Sequence, residues 1–101
     1  MTLPTYVIQK HTATKAAVVT GQVAIYGLMV HADGAQADLD LCDAVTDTGT
    51  DEISVSAVDG DTVLLDFTPF GGVIFNTGLS ATITGAGAEV YIWTDVVQLT
   101  A

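Results

Sequence analysis

The sequence predicts an all-β protein, an antiparallel β-sandwich of about eight strands arranged as a jelly roll. Apolar and polar residues alternate with a period of two over short runs, which is typical of half-buried strands. Glycine and Asp-Gly turns separate these runs at roughly 8–12-residue intervals, and no segment longer than a turn has helical periodicity. An immunoglobulin-like sandwich is the alternative, although its Cys…Trp…Cys core is missing, because Cys42 is alone and Trp93 lies near the C-terminal end.

The chain divides into an N-terminal segment, residues 1–15, and a single sandwich domain, residues 16–101. The N-terminal segment is expected to be either an edge strand over Thr5–Gln9 or an arm lying on a neighbouring subunit. The domain begins with strands over Lys15–Thr20 and Gln22–Ala32. In the second of these strands both alternate sets are apolar, which predicts a strand covered on both faces. One set is Val23, Ile25 and Met29, and the other is Ala24, Tyr26, Leu28 and Val30.

Further strands are predicted downstream, each bounded by turn residues. They are Gln36–Ala44, Glu52–Val58, Asp61–Phe67, Val73–Asn76, Leu79–Thr84 and Ala88–Asp95. In the first of them Leu39 and Leu41 are expected to face inward, with Asp38 and Asp40 outward. Asp59-Gly60 is predicted to be a two-residue hairpin turn. In the strand after that turn, one face is expected to hold Val63, Leu65 and Phe67.

The composition predicts a small domain that binds neither nucleic acid nor membrane. The 101 residues include two cations, Lys10 and Lys15, against 12 carboxylates, so the net charge is -10. Binding to a phosphate backbone or an anionic membrane depends on Lys and Arg, and neither is expected here. No apolar run approaches the roughly 20 residues that span a bilayer. The N-terminus lacks a secretory pattern, and Cys42 has no partner for an internal disulfide, so we expect a protein made in the cytosol.

The apolar content predicts contacts with other chains. Half of the residues are apolar and the mean hydropathy is +0.51, which is high for a soluble chain of this length. Some apolar strand faces are therefore expected to be buried against neighbouring subunits. The negative charge also suits a basic partner.

The acidic loops are weak candidates for a calcium site, because Ca²⁺ takes about six to eight oxygen ligands. The candidate ligands are Asp47, Asp51, Asp59 and Asp61. Their spacing does not match a helix-loop-helix calcium loop, and aspartate is also a favoured turn residue. We interpret these aspartates mainly as residues of turns and solvated faces, and we expect no metal or cofactor.

The other reactive side chains do not form a recognisable catalytic set. His11 and His31 lack a third metal ligand at typical spacing and are interpreted as surface or interface histidines. Cys42 has no basic neighbour in the sequence and is expected to be a buried structural thiol. No carboxylate pair is marked out for glycoside chemistry, so an enzyme is not expected.

Tyr91 and Trp93 form an aromatic pair on one face of the last strand, together with Glu89 and Asp95. The sequence leaves three roles open for this pair: packing within one sheet face, contact at a subunit interface, and stacking on sugar rings. A carbohydrate- or receptor-binding module that uses these rings and calcium in the acidic loops is therefore an alternative function.

The order of several segments resembles a known family. A strand apolar on both faces, Val23–Val30, precedes an alternating strand, Ala37–Asp43, and a Thr/Gly/Asp loop. Gly72–Leu79 and a final Val90–Trp93 complete the pattern. Over roughly residues 20–95 this order resembles the small β-sandwich structural proteins of tailed bacteriophages, of the capsid decoration (cement) type.

The resemblance implies a non-enzymatic virion protein that is made in the host cytoplasm and stabilises the phage head through subunit contacts. A neck, tail or fibre component is the alternative position. The implied partners are the major capsid protein or other virion proteins, and the implied state is a homo-oligomer, with a trimer favoured.

The two lysines and His11 lie in the N-terminal segment, which is therefore the expected docking element. Deletion of residues 1–15 is expected to abolish particle binding and to leave the sandwich folded. The expected interface residues are Tyr6, Val7, Ile8, Lys10, His11 and Lys15, with Tyr91 and Trp93.

Overall fold

The computed structural model describes residues 7–46 and 49–95, which form β-strands and one short 3₁₀ turn. The strands are β1 Val7–His11, β2 Lys15–Thr20, β3 Val23–His31, β4 Ala37–Cys42, β5 Asp51–Ala57, β6 Thr62–Asp66, β7 Val73–Phe75, β8 Gly78–Thr84 and β9 Glu89–Thr94. The 3₁₀ turn is Thr68–Phe70. Each strand begins and ends within a residue or two of a predicted strand. In this part of the chain no helix is long and apolar enough to cross a membrane.

The strands form two antiparallel sheets packed face to face. In the sheet that we call the front sheet the order is β1-β9-β3-β6, with the short β7 also paired to β3; the back sheet has the order β2-β8-β4-β5. The first strand thus pairs with the last, β2 with β8 and β4 with β5, which is the order of a jelly roll. An immunoglobulin-like sandwich places its first two strands side by side in one sheet, and here they lie in different sheets. The predicted all-β antiparallel sandwich is confirmed.

An apolar core fills the space between the two sheets. Leu39 and Leu41 from the back sheet are fully buried, as are Val90 and Ile92 from the front sheet. Full burial of one such side chain stabilises the fold by about 1.5–3 kcal/mol. Alternate residues of each strand contribute to this core, so the other set on each strand points away from it.

β3 contains a β-bulge at Tyr26. Ile25 pairs with Thr94 of β9, and Gly27 pairs with the next residue along β9, Trp93. Two steps along β3 therefore match one step along β9, and Tyr26 is the extra residue. Since side chains alternate along a strand, the extra residue exchanges the two faces of β3 beyond this point.

The bulge explains why β3 reads as apolar on both of its faces. Val23 and Ile25 before the bulge and Leu28 and Val30 after it all lie in the core between the sheets. The sequence-based grouping of Val23 and Ile25 with Met29 is therefore wrong, because it assumes an unbroken alternation.

The outward side of β3 is less covered than its inward side. Tyr26, Met29 and His31 are half-buried there, whereas the core residues of the same strand are fully buried. Within the described residues no second layer packs over these side chains, so the expected covering of both faces is met on the inward side only.

Asp43 joins the end of β4 to the turn before β8. Its Oδ2 accepts the backbone N–H of Asn76 at 3.0 Å, and its Oδ1 accepts those of Thr77 at 2.8 Å and Gly78 at 3.3 Å. Burial of the carboxylate acts to raise the pKa of Asp43, but the three N–H donors outweigh it and hold the pKa below its ordinary value. One side chain thus accepts three successive backbone N–H groups between the end of β7 and the start of β8.

We expect Asp43→Ala to lower the free energy of unfolding by about 1–2 kcal/mol, because three backbone donors lose a charged acceptor. Asp40→Ala removes the same charge from the outward side of β4, three residues earlier in the chain, and is the matched control. Its effect should stay within about 0.5 kcal/mol, as is usual for surface positions. Urea unfolding measures both variants, and an equal loss in the two would contradict the role given to Asp43.

Candidate functional site

The outer surface of the front sheet, which we call the front face, brings together aromatic and aliphatic side chains from four strands. Directly paired residues point to the same side of a sheet, so the strand register defines rows across this surface. One row is Ile8, Trp93, Gly27 and Asp66, and the next is Lys10, Tyr91, Met29 and Leu64.

Several of the hydrophobic side chains on or beside the front face are well exposed. The exposed fraction is 57% for Ile8, 63% for Leu64 and 50% for Ile74, and it reaches 80% for Phe70 in the 3₁₀ turn after β6. Tyr91 and Trp93 are half-buried between their neighbours. Large apolar side chains that are exposed on one sheet face make that face a candidate interaction site.

The outer surface of the back sheet, the back face, has the opposite character. Its paired rows hold carboxylates and hydroxyls: Asp38, Asp40, Ser54, Ser56, Thr82 and Thr84. Ser56 and Gln36 both donate hydrogen bonds to Oδ1 of Asp38, and these bonds hold the pKa of Asp38 below its ordinary value. The back face is therefore a charged, solvated surface, as the outward positions of Asp38 and Asp40 in the sequence predicted.

A shallow cleft of about 300 Å³ opens on the front face between β9, β3 and β6. Trp93, Tyr26 and Leu64 contribute its apolar lining, and Asp66 and Thr68 its polar edge. Thr68 donates two hydrogen bonds to Oδ1 of Asp66, from its backbone N–H at 3.0 Å and its hydroxyl at 2.6 Å. The hydroxyl bond and then the backbone bond lower the pKa of Asp66, which keeps this carboxylate ionised.

Gly27 forms part of the cleft because it carries no side chain. A Cβ at this position would lie 2.9 Å from the backbone oxygen of Leu65 and 3.6 Å from Cε3 of Trp93. The close approach of β6 to β3 therefore requires glycine here, and its missing side chain leaves the space between the indole and Asp66 open. At the other end, Gly72 packs its backbone against the Tyr26 ring, with a φ of 94° that also favours glycine.

Lys10, Glu89 and Tyr91 form a small polar group beside the apolar rows. Lys10 Nζ lies 3.2 Å from Glu89 Oε2 and 5.6 Å from the centre of the Tyr91 ring, and the Tyr91 hydroxyl donates to the same Oε2 at 3.3 Å. The hydrogen bond with Lys10, then its charge, lowers the pKa of Glu89, and the same pair raises the pKa of Lys10. At half-exposed side chains such a pair adds little stability, but it orients the tyrosine ring.

The structure brings four of the expected interface residues together on the front face. Ile8 and Lys10 lie directly opposite Trp93 and Tyr91. The two rings stand on the outer face of β9 and do not pack between the sheets, where Ile92 and its neighbours lie.

The remaining interface candidates lie elsewhere. Val7 and His11 point to the inward side of β1, because they pair with the buried residues Thr94 and Val90. Lys15 begins β2, in the back sheet. Tyr6 lies outside the described residues.

The calcium candidates do not converge on one point. Asp51 begins β5, and Asp59 and Asp61 follow its other end, about 20 Å away at the usual rise per residue. Asp59 accepts the backbone N–H of Gly34 at 2.8 Å, which is turn chemistry. Asp47 lies outside the described residues, and within those residues no group of three or more His, Cys, Asp and Glu side chains is placed to hold a metal ion.

Cys42 and His31 lie in different sheets. The Cys42 thiol is fully buried and donates to Oδ1 of Asp51 at 3.2 Å and to the Gly49 carbonyl at 3.5 Å. Nδ1 of His31 lies 2.8 Å from the Thr62 hydroxyl, at the far end of β3. The two side chains therefore do not form a nucleophile and base.

Sequence reasoning missed part of the front face. Leu64 had a readable signal, because it is a large apolar residue on the strand side opposite Val63 and Leu65. Tyr26, Gly27 and Asp66 had none, since their meeting depends on the bulge in β3 and on the pairing of β3 with β6.

No protein-family model, curated protein or solved structure matches the chain.

The inward side of β1 carries polar atoms without partners. Nε2 of Gln9 and Nε2 of His11 are both buried and have no hydrogen-bond partner within the described residues. Burial, and then repulsion by Lys15, lowers the pKa of His11 below its ordinary value of 6.5. The folded chain therefore binds a proton at this imidazole less readily than the unfolded chain does.

We expect stability to fall as the pH decreases from about 7.5 to about 5.5. Because the pKa of His11 is lower in the folded chain than in the unfolded chain, its contribution to the free energy of unfolding is fully present above pH 6.5. This contribution is lost as the pH falls through the folded-state pKa. His11→Gln should flatten this dependence, and His31→Gln, on the outward side of β3, should retain it. Denaturant midpoints across the range measure the effect, and equal pH profiles for the two variants would contradict the assignment.

Proposed function

We propose that the protein is a non-enzymatic structural protein of a phage virion, a capsid decoration protein that docks through its front face. The observation that carries this proposal is the contrast between the two outer faces of the sandwich. One presents exposed Ile8, Leu64 and Ile74 beside two aromatic rings, and the other presents carboxylates and hydroxyls. Docking interfaces bury apolar and aromatic side chains at their centre and leave charged ones outside.

The charge distribution also favours the front face over the back face. The front face carries Asp66 and Glu89, and Glu89 forms an ion pair with Lys10. The back face carries Asp38 and Asp40 without a lysine in its paired rows. Docking through the front face therefore leaves Asp38 and Asp40 in solvent, away from the interface.

The outer-face carboxylates whose pKa values are shifted are not suited to act as general acids. The pKa values of Asp38, Asp66 and Glu89 are all lowered by hydrogen bonds from neighbouring side chains. A general acid needs the opposite, a carboxyl group whose pKa is raised toward neutrality.

The N-terminal segment contributes to this surface as part of the sandwich. β1 hydrogen-bonds to β9 along its length, and its Ile8 and Lys10 complete two rows of the front face. Deletion of residues 1–15 would therefore remove an edge strand and uncover β9. Point substitutions on the front face test docking more directly than this deletion, because they leave the strand in place.

We expect Leu64→Asp to weaken binding to capsid shells assembled without the protein by about tenfold or more, because it places a charge in the apolar surface. Val58→Asp makes the same change at a similarly exposed residue, 58% against 63%, outside the front face. Co-sedimentation with the shells measures binding, and circular dichroism checks that both variants are folded. Equal binding by Leu64→Asp and the unmodified chain, or an equal loss in both variants, would overturn the proposal.

A further inference from the structure

We infer that the front-face cleft receives an arginine side chain from a different, basic protein. This inference rests on the proposed function, because it names the chemistry of the partner at the docking face. The cleft combines an indole, a tyrosine ring and a carboxylate around the missing side chain of Gly27.

The walls of the cleft suit a flat cationic group. Trp93 and Asp66 lie on either side of Gly27 in one row of the sheet, so a side chain entering between them meets an aromatic surface and a negative charge. A guanidinium group stacks on aromatic rings and donates to carboxylates in the same plane, whereas its aliphatic stem packs on apolar surface such as Leu64. Its size is compatible with a cleft of about 300 Å³.

The Asp66 carboxylate, at the polar edge of the cleft, is oriented to accept a hydrogen bond. Both hydrogen bonds from Thr68 end on Oδ1 of Asp66, and within the described residues neither uses Oδ2. These bonds fix the carboxylate at the cleft edge, where its side chain remains exposed. A second oxygen held in this way is a ready acceptor for a charge-assisted hydrogen bond.

A second copy of these 101 residues cannot supply the arginine. The sequence contains no arginine, and its two cations are Lys10 and Lys15. Lys10 is paired with Glu89 on the same surface, and Lys15 lies in the back sheet. A basic partner complements the net charge of -10, which a second copy of the chain would instead repel.

Titration with a small arginine probe tests the inference. Trp93 is the only tryptophan, so its indole N–H gives a single resonance that reports on the cleft in the ¹⁵N-labelled chain. The probe is N-acetyl-arginine amide, and N-acetyl-citrulline amide is its neutral, nearly isosteric control. We expect a saturable shift of the indole resonance with the arginine probe and a much weaker response to the citrulline probe.

Two variants of equal net charge locate the carboxylate involved. Asp66→Asn should weaken the affinity for the arginine probe by about fivefold or more, whereas Asp40→Asn on the back face should leave it within about twofold. The remaining backbone resonances show whether each variant keeps its fold. The comparison of arginine with citrulline on the unmodified chain needs no variant and decides the inference even if Asp66→Asn unfolds.

Several outcomes would overturn the inference. They are an equal response to arginine and citrulline, an equal loss in the two variants, no saturable shift, or a saturable shift with N-acetylglucosamine in place of arginine. Loss of shell binding in Leu64→Asp together with a failed arginine titration would retain the front face as the docking surface and reject arginine as its anchor.

Discussion

The extra residue at Tyr26 is the constraint on which the rest of the front sheet depends. β3 pairs with β9, β6 and β7, so its register sets the positions of all three. Because the bulge exchanges the faces of the strand, Ile25 and Leu28 both reach the core although an odd number of positions separates them. The same exchange places Gly27 on the outer side, opposite Trp93.

The consequences of the bulge extend from packing to chemistry. Without a side chain at position 27, β6 can approach β3 closely, and a cleft remains between the indole of Trp93 and the carboxylate of Asp66. The residues that a purely alternating strand would have distributed over two faces are sorted into an apolar core and an aromatic outer surface. The bulge in β3 is therefore the structural cause of the cleft.

The two outer faces of the sandwich differ in chemistry, and therefore in whether exposure to water or burial is favourable. Hydroxyl and carboxylate side chains bind water strongly, and burying them without partners is costly. The back face, with Asp38 and Asp40, therefore remains favourable when exposed. Exposed Leu64 and Ile8 on the front face gain from being covered by a partner.

Most of the fold follows from the sequence, and less of the site does. The alternation around Leu39 and Leu41 and the turn at Asp59 predict strands in the right places, because one-sided burial leaves a period of two. That pattern contains no information about which strands pair or where one gains an extra residue. The sequence therefore does not decide whether Tyr91 and Trp93 face the core or the outside. The register of β9 in the structure places both rings outward.

We propose that the front face becomes covered when the protein assembles. The most direct measurement is acrylamide quenching of Trp93, the single tryptophan, in the free chain and in the chain bound to shells that lack other copies of it. Trp93 is half-buried in the isolated fold, so quenching should be appreciable in the free chain and several-fold lower once the chain is bound. An unchanged quenching constant at full occupancy would contradict docking through the front face.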